Sequence, residues 1–277
     1  MRIKRFLLYV VMDMSESMSW KDETGKAKIQ TAMEILPSII ETAKRSATVS
    51  SALRVSVLGF DQVTTELFAP QTDVEKHDIR SLTQWWNGKK EEIFKSCSGQ
   101  TYFSVMFNKL NTIIRRDQSK YDSKDYELYR PVVYLLTDGK PEGACETNEA
   151  INNALRVLRS EEGDRKAPVI LSIGIGDDVV RANIEEYAAG RVTKQWKFDK
   201  EKGKEIPEYY DGEYKRGNKD MAFMFRGNNI AFKLSRLNRA VLDSIVKSIQ
   251  KIENKISVAE PDFSGGMSAL FDDDERI

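Results

Sequence analysis

Two cysteines and one histidine are all that 277 residues contain of the side chains that build disulfide frameworks, zinc sites and most general bases. Cys97 and Cys145 are too few to staple so long a chain, so a reducing cytoplasm is the expected setting. His77 stands in the charged run Glu75-Lys76-His77-Asp78 and reads as a solvated surface residue, not a ligand or base. Net charge is also missing. The 43 Lys and Arg balance the 43 Asp and Glu, so the chain as a whole offers nucleic acid no electrostatic attraction. No apolar run approaches the ~20 residues that cross a bilayer, so no membrane partner is expected. The opening Met1-Arg-Ile-Lys-Arg5 and the apolar Phe6–Met12 imitate a signal peptide, yet no small-x-small cleavage site follows. Asp13, Ser15 and Ser17 end the run instead, and a buried strand explains the same residues better.

What is present is ordinary for a globular α/β chain: 40% hydrophobic and 31% charged residues. Phe6–Met12, Leu53–Phe60, Val132–Thr137 and Pro168–Ile175 are apolar runs without alternation, as strands covered on both faces should be. Val63–Ala69 follows the second run after a short break and reads as an antiparallel partner at a sheet edge. Ile29, Ala32, Met33, Leu36, Ile40 and Ala43 recur at spacings of three and four, which predicts a helix over Gly25–Ala47. Pro37 falls inside that pattern, so a kink is expected there. Further helices are expected at Tyr102–Arg115, Thr147–Arg159, Asp178–Ala189 and Asn238–Asn254.

Strands alternating with helices predict a doubly wound, mostly parallel sheet with one antiparallel edge strand and helices on both faces. This domain is expected to fill residues 1–255. Within it Asp199–Asn218, dense in Lys, Glu, Tyr and Gly, reads as a solvated surface insertion. Residues 256–277, ending Asp272-Asp273-Asp274-Glu275, read as a flexible acidic tail.

Asp13-Met14-Ser15-Glu16-Ser17 follows the first buried run directly. By composition alone, an Asp-x-Ser-x-Ser string arises in roughly one chain of this length in a dozen. Its position raises its weight. Ligands of open α/β sheets bind beyond the carboxyl ends of the strands, where strand order reverses. Asp13 stands at such an end, and so does Asp138, in Val132-Val-Tyr-Leu-Leu-Thr-Asp138-Gly139. Thr101 lies in a third polar loop, Ser98-Gly-Gln-Thr101, before an expected helix, where it would otherwise be a helix cap.

Together these residues resemble the motif of the von Willebrand factor A family. Its metal-ion-dependent adhesion site is Asp-x-Ser-x-Ser, a distant Thr and a distant Asp. Asp13, Ser15, Ser17, Thr101 and Asp138 match it in order, and the resemblance runs from about Arg5 to Asn254. Within the family the chain is similar to stand-alone bacterial A-domain proteins of tellurite-resistance and stress gene clusters. The resemblance implies a Rossmann-like fold in which Ser15, Ser17 and Thr101 touch the ion, with Asp13 and Asp138 acting directly or through water. All five are oxygen donors, which suits Mg²⁺, or Mn²⁺ or Ca²⁺, and argues against zinc. One octahedral position remains for water or for a carboxylate from a partner protein.

A metal-dependent hydrolase or phosphotransferase is the alternative, since a bound cation polarises phosphates and activates water. Its usual companions are missing from the sequence: no phosphate-binding Gly-x-x-x-x-Gly-Lys loop, no Gly-x-Ser-x-Gly elbow and no His-Glu-x-x-His. A protein-binding module is therefore expected, not an enzyme. A purely structural domain with a vestigial site is a third reading, and the filling of all five positions weighs against it. Cys97 and Cys145 each flank a polar loop, and ordinary free thiols are the expectation for both.

Overall fold

The computed structural model describes residues 2–21, 25–68, 73–139, 141–160, 162, 166–176, 179, 181–210, 221–225 and 230–253. The expected acidic tail and residues 211–218 of the expected insertion lie outside the described residues. In chain order the elements begin with β1 (Ile3–Asp13), α1 (Lys28–Ala32), α2 (Ile35–Lys44), α3 (Ala47–Ala52), β2 (Leu53–Phe60) and β3 (Thr64–Phe68). Then come α4 (Ile79–Phe94), α5 (Phe103–Ser119), β4 (Tyr126–Leu128), β5 (Val132–Thr137), α6 (Asn148–Arg159) and β6 (Val169–Ile175). The last are α7 (Arg181–Ala189), β7 (Thr193–Asp199), β8 (Lys204–Tyr209), β9 (Met221–Phe225) and α8 (Ile230–Glu253).

Six strands form the main sheet in the order β3-β2-β1-β5-β6-β9, and β4 pairs with the start of β1. All pairings are parallel except β2 with β3, which makes β3 the expected antiparallel edge. The apolar runs are continuous because both faces are covered. Phe6, Leu8, Val10 and Met12 of β1 point into a core with α1, α2, α3, α4 and α8. Leu7, Tyr9 and Val11 point the other way, onto α5 and α6. Side chains alternate along a strand, so one run supplies two cores. The chain leaves β1 towards β2 on one side and later returns to β5 on the other. Strand order therefore reverses between β1 and β5, and their carboxyl ends meet there.

Several local expectations change. The helix expected over Gly25–Ala47 breaks at Met33–Glu34, ahead of Pro37, which sits in the first turn of α2. A proline ring clashes with the carbonyl four residues earlier, here that of Met33, so the chain yields at that residue. The Met33 carbonyl accepts instead from Leu36 N at 3.1 Å. His77 is not a surface residue: it is 1% exposed, its Nδ1 shares a 2.8 Å hydrogen bond with Ser56 Oγ, and its ring lies against Phe68. Burial pushes the imidazole down to about 4, which keeps it neutral. Asn238, expected to open the last helix, lies inside α8, with its amide bonded to Ser38 and Tyr134.

The segment read as a loop insertion from Asp199 is, as far as Tyr209, part of an antiparallel hairpin that starts at Thr193. Nearly all of its first strand is exposed, Trp196 and Phe198 included, so no buried apolar face marks it. Helix α4 went unread because its fully buried side chains are few: Ile79, Leu82 and Ile93. The five-residue β9 went unread because it is a short apolar run at a sheet edge.

Candidate metal centre

The structure brings the carboxyl ends of β1 and β5 side by side, and with them the residues singled out from sequence. Asp13 is the last residue of β1 and is wholly buried. One carboxylate oxygen accepts from Ser15 N at 2.9 Å, and the other accepts from Thr137 Oγ1 at 2.6 Å. Ser15 Oγ lies 3.2 Å from Ser17 Oγ, and Ser17 Oγ donates to Asp138 Oδ1 at 2.9 Å. A Cβ built on Gly139 would lie 3.1 Å from Asp13 Oδ2 and 3.5 Å from Thr101 Oγ1, so those two oxygens border one small space. The five residues thus converge on one place. Thr101 does not cap α5: its N-cap is Tyr102, with no side-chain hydrogen bond.

Backbone bonds hold the three loops in register. Met14 N donates to Phe60 O at 2.7 Å, Ser98 N to Met14 O at 2.9 Å, and Glu16 N to Gly99 O at 3.1 Å. Gly99 makes its turn at φ +76°, a conformation that costs a side-chain-bearing residue free energy. Met18, fully buried in the short turn after Ser17, anchors the first loop to the core. Glu142 N donates to Thr101 O at 3.0 Å and ties the loop after Asp138 to the Thr101 loop.

Three contributors lie outside the five motif residues. Thr137 and Gly139 are the Thr-Asp-Gly neighbours of Asp138, and the Thr137 hydroxyl orients Asp13. Gly139 keeps the space beside Asp13 and Thr101 open. Lys28 opens α1, is buried, and donates from Nζ to Asp138 Oδ2 at 2.7 Å. A lysine in a first helical turn ordinarily reads as solvated, so no local signal marked it. Burial, with help from the nearby Asp138 carboxylate, pushes the Asp13 carboxyl up to about 6 despite the Thr137 and Ser15 hydrogen bonds.

The residues present fit a hard divalent ion. Asp13 and Thr101 border the space that a methyl on Gly139 would crowd, and Ser15, Ser17 and Asp138 form a hydrogen-bonded chain joined to Asp13 through Ser15 N, so that all five offer oxygen donors. Among the described residues, no three His, Cys, Asp or Glu side chains cluster as a metal site, so the hydroxyls would be needed to complete this one. Cys97 is a half-buried free thiol that burial pushes up to about 12, far from thiolate formation at neutral pH.

No protein-family profile matches the sequence, and comparison with curated proteins finds no match. Solved structures do match the fold. A von Willebrand factor type A protein from Catenulispora acidiphila superposes with a TM-score of 0.53 at 12% identity, over 86% of this chain and 42% of that one. Proximal thread matrix protein 1 from the mussel byssus gives 0.50 at 16% identity, over 87% of this chain and 48% of that one. The chain spans less than half the length of either. The likeness at such identities concerns the fold alone: this chain has the Rossmann-like fold of von Willebrand factor A domains, a mostly parallel α/β sheet with helices on both sides. No helix among the described residues is long and apolar enough to cross a membrane.

Proposed function

We propose that this chain is a metal-dependent protein-binding module in which Asp13, Ser15, Ser17, Thr101 and Asp138 hold one divalent cation, Mg²⁺ or Mn²⁺ or Ca²⁺. The observation that carries this is the convergence of two carboxylates and three hydroxyls at the switch point between β1 and β5. When bound there, the ion supplies an electrophilic centre able to accept a carboxylate oxygen. The protein's own part is to orient. Thr137 and Ser15 N fix the two oxygens of Asp13, and Ser17 and Lys28 fix those of Asp138. Hydroxyl ligands are neutral, so the two carboxylates alone offset the double charge and an acidic side chain of a partner remains attractive.

His77, the single histidine, is turned into the core against Ser56, which supports binding over hydrolysis. The narrower reading, a cytoplasmic component of a bacterial stress or tellurite-resistance system, rests on sequence resemblance. Isothermal titration of the purified chain with Mn²⁺ tests the site, and a native pull-down with and without chelator tests the partner. A chain that takes up no divalent ion refutes the proposal.

A further inference from the structure

Lys28 places a buried ammonium against the oxygen cluster, at Asp138. Lysine is almost never fully buried unless paired, and here the partner is Asp138 Oδ2 at 2.7 Å while Ser17 Oγ takes Oδ1 at 2.9 Å. The lysine's backbone is held against the preceding loop. Its backbone N–H donates to Trp20 O at 3.1 Å, and the neighbouring Ala27 bridges to Lys21. The exposed Trp20 ring lies 5.8 Å from Nζ, a distance at which an aromatic face attracts an ammonium.

On the proposed metal-binding reading, we infer that Lys28 is an internal counter-cation that sets how tightly this site takes a divalent ion. In the metal-free protein it neutralises Asp138, the second carboxylate of a cluster whose other carboxylate, Asp13, is wholly buried. A divalent ion must compete with it for the same carboxylate. Asp13, Asp138 and Lys28 sum to minus one without the ion and to plus one with it. A partner carboxylate offsets the positive charge that the ion adds. Lys28 therefore weakens metal binding in the free protein and couples metal uptake to the arrival of an acidic ligand; by linkage, each raises the other's affinity by the same factor. Trp20 offers the displaced ammonium a second resting place.

The test compares the full chain with Lys28→Met and Lys28→Gln. Mn²⁺ affinity is read by electron paramagnetic resonance of the free ion, and melting temperature is read in chelator. Both neutral variants should bind Mn²⁺ at least about tenfold tighter than wild type. Lys28→Met should also melt lower than wild type in chelator, because Asp138 loses its partner. Lys28→Gln can still donate to Asp138, so it melts closer to wild type and serves where the methionine variant fails to fold. Equal or weaker Mn²⁺ binding by a folded neutral variant, with wild type still binding and Asp13→Asn not, overturns the counter-cation role and leaves the metal site standing. Absence of Mn²⁺ binding in wild type and both neutral variants overturns the two together.

Discussion

The backbone of Gly139 lies so close to Asp13 that a methyl group in place of its hydrogen would sit 3.1 Å from Oδ2, and 3.5 Å from Thr101 Oγ1. Gly139→Ala therefore crowds the site while removing none of its oxygens. If the crowding is met only when the metal is bound, a cost of about 1–3 kcal/mol, the size that overpacking brings, weakens Mn²⁺ binding about five- to 150-fold. Circular dichroism and melting in chelator should stay close to wild type. An unchanged Mn²⁺ affinity would move the metal away from this space.

Metal should stabilise the fold. A ligand that binds only the folded state adds ~2.7 kcal/mol at a hundredfold excess over its dissociation constant. In a chain of this size that raises the melting temperature by roughly 5–10 °C. Asp13→Asn keeps the side chain's size and removes its charge, so the rise with Mg²⁺ or Mn²⁺ should vanish. Differential scanning fluorimetry of both proteins, with chelator and with metal, checks it.

Partner binding should depend on the same ion. If an acidic side chain of a partner completes the coordination, chelator should release the complex, and Thr101→Ala or Ser15→Ala should weaken it at least about tenfold. Charge reversal of exposed Lys89, on α4, should have little effect. A complex retained on a column through a chelator wash would place the interface elsewhere, with the Thr193–Tyr209 hairpin and its exposed Trp196 and Phe198 the next surface to mutate.

His77 should make the fold sensitive to acid. The unfolded chain protonates it near its ordinary 6.5, whereas burial holds it down to about 4 in the folded protein. Between those values protons bind the unfolded state, so this residue's contribution is constant above pH 6.5 and is lost as pH falls towards 4. The loss amounts to about 3 kcal/mol in total. His77→Gln removes that component. Urea unfolding of wild type and variant at pH 7.5 and pH 4.5 should show a larger drop for wild type, and parallel profiles would rule the effect out.

The fold class was legible because buried parallel strands leave an unmistakable pattern. Leu53–Phe60 and Val132–Thr137 have the bounds read from their apolar runs. Asp13 and Asp138 were legible because each stands at the end of such a run. The bend near Pro37 was foreseen at the wrong residue, since a proline's clash falls on the carbonyl four positions earlier. His77 was misread because its immediate neighbours are charged, and only contacts with Ser56 and Phe68, both distant in the chain, bury it.

The sequence by itself determined which segments become strands and which residues reach the strand ends, because hydrophobic periodicity and chain direction are local properties. Tertiary structure alone decided what surrounds those residues. The pairing of β1 with β5 sets Thr137 against Asp13, the fold-back of the loop after Ser17 delivers Lys28 to Asp138, and the bare backbone of Gly139 leaves room beside Thr101. Each of these contacts joins segments far apart in the chain, and short-range pattern carries no record of which distant side chain will arrive.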